Sequence, residues 1–239
     1  MNLNSIQRLS LEIIGKIKAN TRNNGIHDIF RIIYYYTTEF YWRVFFNIGE
    51  LKQTFLKDVG INKKQCVDYS HTDFLDFRKA MKGLTINSNT DVFIDFGSGM
   101  GTTVLMASMY PFHKVIGIEL SKEFNSIAEE YIKINRRKLK CRNIEFAVTD
   151  ATKFIIPEQA AFLYFYNPFY GEILEKVIEN VKVSLKRTPR ELMIIFKNTE
   201  HFEKIKAISE WLIEIRRFRC FWGHDCVIYK ARVNYFSQL

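Results

Sequence analysis

Glycine, proline and cysteine are scarce: the 239 residues hold 11 Gly, 4 Pro and 4 Cys. So few Gly and Pro exclude collagen-like and low-complexity chains, and 47% apolar residues exclude wholesale disorder. None of Cys66, Cys141, Cys220 and Cys226 forms a C-x-x-C pair. Such spacing gives no disulfide framework, so a reducing, cytoplasmic setting is expected. Cys220, His224 and Cys226 lie close together but lack the fourth ligand of a tetrahedral zinc site, and no metal is expected. A long unbroken apolar run is missing too. The most apolar stretch, 29–46, contains Arg31, Glu39 and Arg43, which argues against a membrane span. Residues 1–20 are interrupted by Arg8, Glu12, Lys16 and Lys18, unlike a signal peptide.

Acidic residues are in deficit, with 26 Asp and Glu against 35 Lys and Arg, for a net charge of +9. Such a balance first suggests a polyanionic partner. The densest basic cluster, Arg136 to Arg142, argues otherwise, because it joins a helix end to a strand start. That places it at the sheet edge opposite a ligand cleft, where cations favour helix C-termini. Nucleic acid is therefore not the expected partner.

Aromatic residues are abundant, with 21 Phe and 12 Tyr. Before residue 69 the pattern is helical. Ile13, Ile14 and Ile17 share one face, and Asn23-Asn24-Gly25 breaks the run. Ile29, Ile32, Ile33, Tyr36, Phe40, Val44 and Ile48 then recur at helical spacing, with Tyr35, Tyr41, Trp42 and Phe45 on the other face. Such a helix packs on the main domain, or offers residues 29–48 to a membrane surface or a second copy of the chain. From about residue 73, helices alternate with short apolar strands near 92–96, 114–119, 144–148, 161–166 and 192–197. One helix is expected over 201–211. Two last strands, near 213–221 and 226–233, flank a hairpin-like turn at Trp222-Gly223-His224-Asp225. The expected fold is α/β: a doubly wound, mostly parallel seven-stranded sheet with an antiparallel edge strand. Residues 1–68 would form a helical extension and 69–239 the main domain.

Asp95-Phe96-Gly97-Ser98-Gly99-Met100-Gly101 follows the first strand and opens a helix. Gly lets the backbone turn tightly and approach a ligand, and the helix N-terminus offers free N–H groups. A dinucleotide fingerprint, G-x-G-x-x-G, would need Gly where Thr102 stands. Instead the segment resembles motif I of the class I S-adenosylmethionine-dependent methyltransferases, and the likeness extends over 69–239. It implies S-adenosylmethionine as cofactor, held by Asp95, Gly97, Ser98, Gly99 and Gly101, by Glu119 on the ribose and by Asp150 near the adenine. Asn167-Pro168-Phe169 resembles the Asn-Pro-Pro-aromatic loop of amino-methylating enzymes, with one Pro in place of two. It is also similar to the Asn-x-Phe loop of the non-SET histone-lysine methyltransferases, whose Tyr-x-x-Thr element matches Tyr69-Ser70-His71-Thr72. That likeness implies catalytic roles for Asn167, Pro168 and Phe169, and adds Tyr69 and Thr72 to the cofactor set.

The expected activity is therefore methyl transfer to an acceptor that is a protein, a glycan or a small molecule, with an amine such as a protein lysine favoured. A hydroxyl acceptor is the rival and would need a general base, for which His71 and Asp73 are the nearest candidates. A non-catalytic interaction module and a nicotinamide-dependent oxidoreductase complete the alternatives.

Overall fold

A computed structural model of the chain describes residues 26–49, 65–205 and 208–236. The expected helix around Ile13, Ile14 and Ile17 lies outside the described residues. The elements are α1 (Ile26–Phe45), α2 (Phe74–Met81), β1 (Val92–Phe96), α3 (Thr102–Ala107), β2 (Lys114–Glu119), α4 (Lys122–Asn135) and β3 (Ile144–Val148). After them come β4 (Ala160–Tyr166), α5 (Gly171–Arg187), β5 (Met193–Lys197), α6 (Ile208–Trp211), β6 (Leu212–Arg219), β7 (Asp225–Ala231) and α7 (Val233–Phe236).

The seven strands lie in the order β3-β2-β1-β4-β5-β7-β6. The first five are parallel, and β7 runs antiparallel to both β5 and β6. Parallel strands covered on both faces read as continuous apolar runs, and β1 is buried at every residue. Alternation divides its side chains between two layers. Phe96 stacks on Phe165 and Phe165 on Phe196, at 4.7 and 4.5 Å between centroids, in the layer covered by α5. Phe93 and Tyr164 face the layer formed with α2, α3 and Phe46. The strand order reverses between β1 and β4, which opens a crevice at their carboxyl ends, where such sheets bind ligands.

Two expectations need correction. The single helix over 201–211 is instead a 3-10 turn at Phe202–Lys204 and the short α6. Phe202 and Trp211 are both buried in the same core layer. Nine residues at about 100° each would put them on opposite sides of one helix, so the helix must break. The buried face of α1 also differs: Ile32, Tyr35, Tyr36 and Glu39 are buried, whereas Ile33, Tyr41 and Val44 are exposed.

Glu39 explains the rotation. Its carboxylate accepts the Phe74 and Leu75 N–H groups at 3.2 and 3.0 Å, satisfying two donors at the start of α2. Burial, then repulsion from Asp73, raises its pKa from 4.5 to about 7. The folded state thus holds this proton to higher pH than the unfolded chain does. Its stabilising contribution is complete below about 4.5 and is lost as pH rises through about 7. At about 1.4 kcal/mol per unit, thermal unfolding should show roughly 2–3 kcal/mol lost from this group between pH 5 and 8. Glu39→Gln should flatten that dependence; an unchanged slope would remove Glu39 as its source.

The basic residues at strand starts have local tasks. Lys138 donates to the Phe45 carbonyl at the C-terminus of α1 and to Asn135 Oδ1 at 3.0 Å. Arg190 donates to the carbonyls of Ala160, Ser184 and Thr188 at 2.7, 3.2 and 2.9 Å, closing the end of α5.

Candidate methyl-transfer site

The carboxyl ends of β1, β2, β3 and β4 border a cleft enclosing about 900 Å3, part of it open to solvent. Of the predicted site residues, Asp95, Gly97, Ser98, Gly99, Glu119, Asp150, Tyr69, Thr72, Asn167, Pro168 and Phe169 all line it. Gly101 does not.

The three glycines of the turn have φ of +76°, +51° and +75°, the left-handed region that side chains disfavour. Each also makes a different close approach. A Cβ on Gly97 would lie 2.4 Å from Pro168 Cβ, and one on Gly99 would lie 2.3 Å from the Tyr69 ring. One on Gly101 would meet Ala128 of α4 at 2.4 Å. Gly101 is thus a packing residue, and Gly97 and Gly99 bring the two loops of the cleft together. Among the described residues, buried Ser98 Oγ has no hydrogen-bond partner, as expected of a group kept for a ligand.

Glu119 ends β2. Its Oε2 accepts from Gly99 N–H at 3.0 Å, and its Oε1 accepts from the Leu120 and Ser121 N–H groups at 2.7 and 2.8 Å. A carboxylate offers about four acceptor positions, so three are in use and about one remains for a ligand hydroxyl. Burial outweighs these donors and raises its pKa. Asp95 is raised further, by burial and then by Glu119. Asp150 Oδ1 caps the turn Ala151–Lys153, accepting Thr152 N–H at 3.0 Å. Ser121 caps α4, accepting Phe124 N–H at 3.2 Å. Ile118, Leu120, Phe124 and Ala151 give the cleft an apolar wall between its acids.

Asn167 has φ +42°, and among the described residues its amide makes no side-chain hydrogen bond. The Pro168 carbonyl accepts Val67 N–H at 3.0 Å, which uses one of its two lone pairs. Phe169 is 5% exposed and packs edge-on against Phe165, which makes it a core residue as well as a cleft wall. Thr72 is buried in a hydroxyl chain, 3.0 Å from Tyr164 and 3.2 Å from Thr103. His71 and Asp73 do not line the cleft. Burial lowers the His71 pKa, and Asp73 is held by Lys197 and Tyr35. Neither is available as a general base. Sequence reading overlooked buried Lys197, which lies behind the cleft residue Tyr166; its only signal was a polar residue closing an apolar strand.

Four carboxylates, Asp68, Asp95, Glu119 and Asp150, line this cleft of a +9 protein, and among the described residues no Lys, Arg or His does. Such a surface suits a cationic ligand and opposes a phosphate-bearing one. The residues therefore fit a sulfonium cofactor and disfavour a dinucleotide.

The family model described as "Histone methylation protein DOT1" matches residues 67–188, just over half of the chain. The chain belongs to the DOT1 family. It is an S-adenosylmethionine-dependent methyltransferase of the class I, seven-stranded type. The DOT1 match begins just before Tyr69 and spans the glycine turn, Glu119, Asp150 and Asn167. No curated protein matches the chain. Among solved structures it is similar to geranyl diphosphate C-methyltransferase of Streptomyces coelicolor A3(2), solved with Mg2+, geranyl diphosphate and S-adenosyl-L-homocysteine. That similarity has TM-score 0.52 and 12% identity, over 67% of this chain and 77% of that one. It is also similar to the PH0226 protein of Pyrococcus horikoshii OT3, with TM-score 0.50 and 16% identity over 66% and 89% of the two chains. At these identities the likeness is one of fold. No described helix is long and apolar enough to cross a membrane.

Proposed function

We propose that the chain methylates an amine, with a protein lysine as the leading acceptor. The observation that carries this reading is the cleft's charge: four carboxylates and, among the described residues, no cation would draw in a lysine ammonium and repel an acidic acceptor. Membership of a histone methylation family supports it. The two bases expected for a hydroxyl acceptor, His71 and Asp73, do not border the cleft.

The residue roles are part of the proposal. The turn 97–101 cradles the cofactor, Asp95 faces its amino-acid end, Glu119 accepts from a ribose hydroxyl, and Asp150 lies at the base. Bound S-adenosylmethionine supplies an activated methyl on a good leaving group. What remains for the protein is positioning and exclusion of water. Asn167 Oδ1 orients the acceptor amine through one of its protons, and Tyr166 and Thr72 wall the path. The amine must lose a proton before it attacks. The apolar ring of Phe169 at the cleft wall disfavours the charged form there. Phe30, Tyr34, Tyr41 and Val44, exposed on α1, form the surface offered to a membrane or a second copy.

Incubation with labelled S-adenosylmethionine and core histones, nucleosomes, or a fractionated lysate tests the acceptor class. Label on protein lysines is expected; label on glycans or small hydroxyl compounds alone would overturn the amine reading. Glu119→Ala should weaken S-adenosylhomocysteine binding by roughly 10- to 100-fold, for ~1.5–3 kcal/mol of lost charge-assisted bonding. It should also lower Tm, because Gly99, Leu120 and Ser121 lose their acceptor. Calorimetry on a folded variant checks this, and unchanged affinity would end the ribose assignment.

A further inference from the structure

Lys197 closes β5 with none of its surface exposed. It pairs in register with Tyr166 at the end of β4, on the same face of the sheet. Its ammonium lies 2.5 Å from Asp73 Oδ2, 3.0 Å from Asp76 Oδ2 and 4.5 Å from the centroid of the Tyr166 ring. Burial by itself disfavours a lysine's charge, but Asp73, Tyr166 and Asp76 outweigh it, and the pKa is raised.

The carboxylates are held in turn from the N-terminal helix. Tyr35 of α1 donates to Asp73 Oδ1, and Trp222 Nε1 of the hairpin turn donates to the Tyr35 hydroxyl at 2.9 Å. Glu39 of α1 fixes the start of α2, the helix that carries Asp76. Four elements distant in sequence thus converge on one buried ammonium.

Packing gives no reason for a charge here. A Met or Leu at this strand position would fill the same volume, and buried ion pairs are on average no more stabilising than apolar replacements. What distinguishes the place is its neighbourhood. Tyr166 lines the cleft beside Asn167, and Asp73 directly follows Thr72, which lines the cleft too.

We propose that Lys197 is a positioning residue for methyl transfer: its ammonium locks the Tyr166 ring and the Thr72 segment against one another, and α1 is the clamp that holds the cluster. The acceptor end of the cleft then has one shape. This rests on reading the Tyr166–Asn167 end as the acceptor end. Lys197 reaches neither acceptor nor cofactor; it acts through Tyr166 and Asp73.

Three variants test the assignment. Lys197→Met removes the cation, and Lys197→Arg restores one. The triple variant Lys197→Met/Asp73→Asn/Asp76→Asn removes both ion pairs without stranding either carboxylate, and serves if Lys197→Met fails to fold. Calorimetry with S-adenosylhomocysteine should give an affinity within about threefold of wild type. Hydrogen exchange should quicken about tenfold or more at amides of 71–73 and 166–170, while Tyr69, the turn 97–101 and α5 keep their protection. With core histones and labelled cofactor, kcat should fall about tenfold or more at unchanged KM for S-adenosylmethionine, with partial rescue by Arg. Wild-type exchange in both segments of a folded variant overturns the proposal, and so does faster exchange everywhere, which marks a purely structural residue. If wild-type protein leaves histones unlabelled, the histone reading fails alone, and the exchange pattern still decides the role of Lys197.

Discussion

Gly99→Val is expected to abolish the thermal stabilisation that S-adenosylmethionine gives the wild-type protein. Two effects combine at this position. The backbone has φ +51°, which costs an L residue about 1–2 kcal/mol and a β-branched one more. The new Cβ would also stand 2.3 Å from two carbons of the Tyr69 ring. That ring is a wall of the cleft and packs on Phe124 at 5.4 Å, so its displacement deforms the cofactor cradle. The block thus acts through Tyr69 as well as through the backbone's own approach to the ligand. Ligand-dependent Tm is the measurement, since binding to the native state alone raises it by mass action. A mutant that gains as much as wild type would show that the turn is not the cradle. Adding Tyr69→Ala to Gly99→Ala should recover part of the lost stability, because the overlapping ring is gone.

Asn167→Gly should cut turnover about 10²-fold while leaving cofactor affinity nearly unchanged, as expected when one positioning hydrogen bond is lost in the transition state. Gly is the cleaner replacement because Asn167 sits at φ +42°, where Ala would add backbone strain of its own. Its side-chain amide makes no hydrogen bond among the described residues, so truncation strands no partner there. Initial rates with the acceptor found by labelling, and calorimetry with S-adenosylhomocysteine, give the two readouts. Full turnover in Asn167→Gly would reduce the loop to a strand-ending turn. Phe169→Ala cannot serve as a matched control: Phe169 is in the core, and its truncation should cost about 3–5 kcal/mol of stability.

The glycine turn, Glu119 and Asp150 were legible because each follows a short apolar strand, and the ends of successive parallel strands meet at one edge. Their individual tasks were not. Gly101 looks like its two neighbours in sequence, yet it packs on Ala128 outside the cleft. Glu119 reads as a free acid, whereas three backbone N–H groups already hold it.

Local rules were sufficient for the α/β class, the seven strands and the place of the cofactor turn, because strand period, helix period and glycine turns act over a few residues. The exposed side of α1, the break between Phe202 and Trp211, and the Tyr35–Asp73–Lys197 cluster were decided only by tertiary structure. Each depends on which distant groups share one dry volume. Tyr35, Asp73, Lys197 and Trp222 are spread over nearly the whole described chain, and only burial of one ammonium, which must find carboxylates when water is removed, brings them together.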